Sequence, residues 1–176
     1  MEEKKYLSDI QLDLLKNKVN LKREVTISEL NLELKIMDSY EEYLEVRPIT
    51  ELVSRSNMYH SGDYIASMLS NPLYYPFILK SASKNNEKPK IVAYFEIYIL
   101  PHLGRMFDSR LERVIVIPEY RKLGIFNYMI TFAIDFCKST LKCNRIDLIA
   151  ENPIAMRIYE RFEFEKVDTT LYRKYL

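Results

Sequence analysis

A mixed α/β domain is the fold class this sequence predicts, and three observations predict it. From Tyr43 onward, short segments with the two-residue period of strands alternate with segments of helical period. The chain has 176 residues, enough for one ordinary domain that buries roughly two thirds of its unfolded surface. Its composition, 48% hydrophobic and 29% charged with only 3 Gly and 7 Pro, belongs to a packed protein, because disordered and collagen-like chains lack the apolar surface to offset ordering entropy.

Residues 1–42 read as an N-terminal extension. Ser8-Asp9-Ile10-Gln11 has capping-box spacing, and the leucines that follow predict a short helix ending near Asn17 to Asn20. Leu30, Leu32, Leu34 and Ile36 alternate with Asn31, Glu33 and Lys35, which predicts a strand, although Ser28-Glu29-Leu30 can equally begin a helix. The plain reading of this stretch is a docked appendage or a dimer arm; the sharper one is a regulatory element.

Residues 43–176 form the main domain. Leu44 to Arg47 predicts a short strand stopped by Pro48, and helical pieces interrupted at Ser61-Gly62 follow as far as Ser70. Tyr75 to Ser81 and Ile91 to Leu100 predict a hairpin across the polar cluster from Ser83 to Pro89. Leu111 to Ile117 is the next strand. The clearest helix then carries Ile125, Tyr128, Met129, Phe132, Ala133, Phe136 and Cys137 on one face, which must lie on a sheet. Arg145 to Ala150 is a further strand, Asn152 and Pro153 open a helix running to about Arg161, and strand-like segments close the chain at 164–167 and 171–175.

Charge and cysteine usage exclude several function classes. Lys and Arg number 26 against 25 Asp and Glu, so no large positive field draws the protein to nucleic acid or a membrane surface. The start lacks a signal-peptide core, and no stretch reaches the roughly 18 apolar residues of a span, so a cytoplasmic protein is expected. Two cysteines and two histidines cannot build a disulfide framework or a closed zinc site, and no metal is expected.

The informative block runs from Val114 to Phe126. A buried strand enters a tight basic turn and then a long helix, leaving backbone N–H groups free at the helix start. The helix dipole, the missing side chain of Gly124 and the charges of Arg121 and Lys122 favour a phosphate or pyrophosphate there; a simple turn requirement for Gly124 is the competing reading. No Gly-x-x-x-x-Gly-Lys and no glycine-rich dinucleotide fingerprint is present.

This block, Val114-x-Val116-x-Pro118 followed by Arg121-Lys122-Leu123-Gly124-Ile125-Phe126, resembles the acetyl-CoA motif of the GNAT superfamily of N-acetyltransferases, Arg/Gln-x-x-Gly-x-Gly/Ala. Phe126 departs from the small residue usual at its last position. Downstream, Asn152, Ala155, Tyr159 and Phe164 resemble the family's second signature, with Glu163 in place of a Gly. The resemblance implies a mixed, twisted central sheet flanked by helices, with its strands 4 and 5 splayed apart around acetyl-CoA as cosubstrate. It further implies that the backbones of Val114 and Val116 meet the pantetheine arm, that Arg121, Lys122, Leu123, Gly124, Ile125 and Phe126 hold the pyrophosphate, and that Asn152, Ala155 and Tyr159 also touch the cofactor.

The implied activity is direct transfer of an acetyl group to a primary amine, which needs a base, a polarised thioester carbonyl and a proton for the leaving thiolate. Strict alternation puts Glu112 on one face with Val114 and Val116, and it is the candidate base; a bulge near Arg113 would instead pair it with Arg110. Tyr159 is the candidate acid, since a phenol donates readily. Glu96, between Tyr94 and Tyr98, either contacts the acceptor or lies on an exposed sheet face. His60, Asp63 and Tyr64 fall where the family covers its acceptor.

Among members, the C-terminal stretch, Val46-Arg47-Pro48-Ile49 and the position of Glu112 are similar to glucosamine-6-phosphate N-acetyltransferases. Glucosamine 6-phosphate is therefore the first acceptor expected, with Arg105, Arg157, Arg161 and Arg173 as candidate phosphate ligands. The alternatives are a protein, peptide or polyamine acetyltransferase, or a non-catalytic acyl-CoA-binding module. A homodimer formed through Leu30 to Ile36 is the assembly this resemblance suggests.

Overall fold

The structure, a computed structural model, describes residues 7–53, 58–82 and 88–176. The Ser8 side chain and most of the polar turn cluster, residues 83–87, lie outside the described residues. One sheet of six strands organises the chain: β1 (Lys22–Ile27), β2 (Leu30–Ile36), β3 (Tyr74–Ser81), β4 (Ile91–Leu100), β5 (Asp108–Val116) and β6 (Arg145–Asp147), adjacent in that order. Every pair is antiparallel except β5 and β6, which are parallel. Five α-helices accompany it: α1 (Leu7–Lys16), α2 (Tyr40–Thr50), α3 (Gly62–Ser70), α4 (Ile125–Asp135) and α5 (Pro153–Arg161).

The stretch before residue 43 contributes two strands to the central sheet. Ser28 and Glu29 both adopt positive φ, 46° and 66°, the geometry of the tight turn that matches strand twist, so the segment from Leu30 enters a hairpin and not a helix. β2 is paired on one edge by β1 and on the other by β3, so the expected dimer arm offers no free edge to a second copy. β1 itself, Lys22–Ile27, was not foreseen: four of its six residues are polar, and the alternation of Val25 and Ile27 is too short to register.

The expected strand at Leu44 to Arg47 is instead the middle of α2. Ser39 caps this helix by accepting from the Glu42 N–H at 3.2 Å, and Glu42, Tyr43, Val46, Arg47, Ile49 and Thr50 fall on its buried side. Pro48 sits in the last turn, where the helix is about to end and loses little, and the Thr50 hydroxyl takes up the Arg47 carbonyl at 2.8 Å. The interruption at Ser61-Gly62 is a helix start, with Ser61 accepting from the Tyr64 N–H.

α4 packs its apolar face on the sheet as the spacing requires. Phe132 meets Phe77 of β3 and Phe95 of β4 edge-on, with centroids 5.0 and 6.0 Å apart, and Phe136 meets Tyr75 and Phe77 at 5.5 and 5.1 Å. α2 and α3 cover the opposite face, where Tyr94 points. Three expected strands are corrected at the C-terminal end. β6 stops at Asp147, well short of Ala150, and residues 162–176 form no strand, as β6 offers only a three-residue edge beside them.

Candidate active site

β5 and β6 share three register pairs, Asp108–Arg145, Ser109–Ile146 and Arg110–Asp147, and then part. From Leu111 onward β5 has no neighbour on that side, so the two strands open as a V. At its open end the chain leaves β5 through Ile117 and Pro118 and turns into α4.

Gly124 caps α4 at φ 86°, in the left-handed region where a side chain is strained, and a Cβ there would touch Ile27 Cγ2 at 3.5 Å. No side chain caps this helix. The first helical bond is from Tyr128 N–H to the Gly124 carbonyl, which leaves the Ile125, Phe126 and Asn127 N–H groups without a partner among the described residues. Arg121 folds back so that its Nε donates to the Val116 carbonyl at 3.0 Å, while Lys122 is exposed at φ 64°. Free amides, the positive end of a helix and two adjacent cations make a cradle suited to a pyrophosphate. Leu123 is half-buried and Ile125 buried against the core.

Phe126, the bulky residue in the motif, lays its ring on Tyr159 of α5 at 5.8 Å, and Tyr159 in turn meets Phe164 at 5.6 Å. Tyr159 is buried, its hydroxyl has no partner among the described residues, and burial pushes its pKa up to about 12. Asn152 spends its side-chain oxygen on the Ile154 and Ala155 N–H groups at 2.9 and 3.4 Å, so it is an N-cap as its sequence position suggests.

Strict alternation along β5 fails. Ala93 and Tyr94 pair with Val116 and Ile115, but Glu96 pairs with Glu112, so β5 carries one extra residue opposite Phe95. Arg113 marks this bulge, with φ 51°. The parity therefore flips: Glu112 shares its face with Ile115, and the expected common face of Glu112 with Val114 and Val116 does not form. Glu112 forms an ion pair with Arg110 at 2.7 Å, each side chain 38% exposed, which is the alternative a bulge entails.

The same bulge turns Arg113 toward Glu96. Glu96 is buried, not on an exposed sheet face, and accepts from the hydroxyls of Tyr94 at 2.5 Å and Tyr98 at 2.8 Å and from Arg113 Nη1 at 2.9 Å. Tyr74 joins through its hydroxyl, 3.2 Å from that of Tyr94. Burial, followed by the neighbouring Glu96 charge, raises the pKa of Tyr74, Tyr94 and Tyr98, so all three stay protonated and can donate. For Arg113, burial works against the charge and Glu96 more than offsets it, so its pKa is raised.

This cluster floors a cavity of about 410 Å³ between the sheet and the α2–α3 layer. Tyr43, Met58, His60, Tyr64 and Met68 form its walls, and His60 stacks on Tyr64 at 4.1 Å. Asp63, by contrast, is exposed. Arg47 reaches the cavity while bonding the Met58 carbonyl at 3.0 Å and Glu51 at 2.8 Å. None of Arg105, Arg157, Arg161 and Arg173 lines it, and Arg105 is spent on Asp108 at 2.8 Å. Tyr74 and Arg113 were missed by the sequence reading; Tyr94-x-Glu96-x-Tyr98, an acid between two phenols on one strand face, was the signal available for Glu96.

A V-shaped gap ending in an anion cradle, beside a solvent-accessible cavity, is an arrangement that suits an enzyme of the acyl-transfer class. The profile described as the acetyltransferase (GNAT) family matches residues 35–164, and the chain belongs to that family. It is an acetyl-CoA-dependent N-acetyltransferase. Among solved structures the fold is similar to an acetyltransferase of Trypanosoma brucei (TM-score 0.68, 18% identity, 82% of this chain and 99% of that one). It is similar also to an aminoglycoside acetyltransferase from an uncultured soil metagenomic sample (0.68, 14%, 82% and 95%) and to glucosamine-6-phosphate N-acetyltransferase of Arabidopsis thaliana (0.66, 12%, 82% and 98%). No helix among the described residues is long and apolar enough to cross a membrane.

Proposed function

We propose that this enzyme acetylates the primary amine of a small acceptor held in the α2–α3 cavity, with an amino sugar, glucosamine 6-phosphate first, as the acceptor to test. The observation that carries this reading is the cavity itself: it is a solvent-accessible pocket lined by tyrosines and methionines, and it meets β5 at the Arg113 bulge, where the V begins. A volume of about 410 Å³ matches a monosaccharide-sized ligand better than an extended peptide. Tyrosine walls suit a ring that offers hydroxyls to hydrogen-bond and a face to stack.

Bound acetyl-CoA supplies the activated acetyl thioester and the thiolate leaving group. In this reading its pyrophosphate rests on the turn from Arg121 to Phe126, with Gly124 allowing close approach, and Val114 and Val116 present the strand edge to its arm. Asn152 and Ala155 flank it from the start of α5. Glu112, the register partner of Glu96, takes the proton released as the amine nitrogen bonds the acetyl carbon, leaving its ion pair with Arg110 to do so. Tyr159 gives a proton to the sulfur as the carbon–sulfur bond breaks. Its pKa of about 12 keeps it protonated at every working pH.

The test is CoA release with glucosamine 6-phosphate, glucosamine and a lysine peptide as acceptors. Turnover with either sugar and none with the peptide supports the reading, and turnover confined to the peptide contradicts it.

A further inference from the structure

Glu96 and Arg113 form an ion pair in which each partner keeps unused bonding capacity on the cavity side. The Glu96 side chain is only 2% exposed, and a carboxylate offers about four lone-pair sites. Among the described residues Tyr94 and Arg113 fill Oε1 and Tyr98 takes one site of Oε2, which leaves one position on Oε2 open there. Among the described residues Arg113 engages Glu96 through Nη1 alone, and its side chain, 39% exposed, has no other hydrogen bond there. Both residues line the cavity.

Their charges cancel, and that decides what the pair can select. A lone cation drawn to Glu96 meets Arg113 beside it, and a lone anion drawn to Arg113 meets Glu96. A molecule carrying one group of each kind meets both halves at once. The remaining walls supply little competing charge: Met58, Ile65 and Met68 are apolar, and Arg47 is already bonded to Glu51. The pair is also held in place before any ligand arrives. Two tyrosines fix the carboxylate, and the bulge fixes the backbone of Arg113, so little ordering cost remains on binding.

We infer that the Glu96–Arg113 pair is a specificity determinant that selects amphoteric acceptors, taking the amine on Glu96 Oε2 and a carboxylate or phosphate of the same molecule on the open edge of Arg113. The inference rests on the cavity being the acceptor site and adds the chemical class it favours. An arginine fork suits both anions, since both offer paired oxygens.

Calorimetric binding and acetyl transfer are measured side by side on matched acceptors: glucosamine 6-phosphate against glucosamine, a free amino acid against its amide, and spermidine as a purely cationic amine. The wild-type enzyme binds at least one amphoteric member about tenfold or more tighter than its neutralised partner, and spermidine weakly. Which pair discriminates identifies the anion as phosphate or carboxylate. Arg113→Gln keeps an N–H for Glu96 and removes the charge; it brings the amphoteric acceptor down to the affinity of its partner, and Arg113→Lys restores part of the difference. A thermal melt of each variant controls for folding, and the wild-type comparison stands without any variant. Equal affinities within both pairs, a preference that survives in Arg113→Gln, tighter binding of spermidine, or no binding by any acceptor overturns the inference. Discrimination in binding without acetyl release leaves the pair's role standing and defeats the acetyl-transfer reading of the cavity; acetyl release without discrimination does the reverse.

Discussion

In the proposed mechanism Glu112 and Tyr159 carry the proton transfers. Glu112→Gln and Tyr159→Phe are each expected to lower kcat/KM by roughly ten- to a thousand-fold with the fold retained, read by steady-state CoA release. Unchanged turnover in both variants would remove these roles. Gly124→Ala is expected to cost about 1–2 kcal/mol through its left-handed φ and to weaken acetyl-CoA binding, because relieving that strain shifts the backbone at the start of α4. At this scale the sequence was partly legible. Gly124 opens α4 and Asn152 caps α5 as their sequence positions suggest, but the bulge at Arg113 reversed the parity that placed Glu112, and only a β-bulge, which one residue's identity does not announce, moves Arg113 against Glu96.

Among the elements, α4 is the one whose period the sequence displays most fully, and the sheet beneath it explains why. Phe132 packs against Phe77, Phe95 and Phe136 together, so Phe132→Ala is expected to cost about 3–5 kcal/mol in chemical denaturation. The segment after α1 is tied down differently. Lys18 donates to the Leu69 carbonyl at the end of α3 and lies over the rings of Tyr74 and Tyr75 at 5.9 and 5.3 Å, and burial lowers its pKa to about 8. Between pH 8 and the ordinary lysine value the unfolded chain holds a proton that the folded one has released, so stability rises with pH in that window. The melting temperature of the wild type is expected to climb by a few degrees from pH 8 toward 10, and that of Lys18→Met to stay flat; parallel profiles would remove the effect. α2 and β1 were not legible, α2 because Pro48 read as a stop when it occupies a terminal helical turn, β1 because a mostly polar edge strand has almost no apolar period.

Across the whole molecule, one sheet carries α4 and its core on one face and the α2–α3 cavity on the other, and a gap opens where β5 and β6 part. Burial raises the pKa of Tyr74, Tyr75, Tyr94, Tyr98 and Tyr159, so their contribution to stability is complete below about pH 10 and is lost as pH rises through their higher folded values. Alkaline unfolding is therefore expected to begin above pH 10 with a separate rise in tyrosinate absorbance, from these five tyrosines, in the same transition; a single rise complete before unfolding would contradict it. The order of elements from β3 to α5 was readable because short strands and a strongly periodic helix alternate there, whereas the end of the sheet was not: extended sequence at 164–167 and 171–175 becomes strand only if an edge is available, and β6 provides three residues. The most direct test of the account is CoA thiol release from acetyl-CoA with glucosamine 6-phosphate, glucosamine and a lysine peptide under one set of conditions. Release driven by a small amine is the predicted result; acetyl-CoA binding with no release by any small amine, or release by the peptide alone, would contradict it.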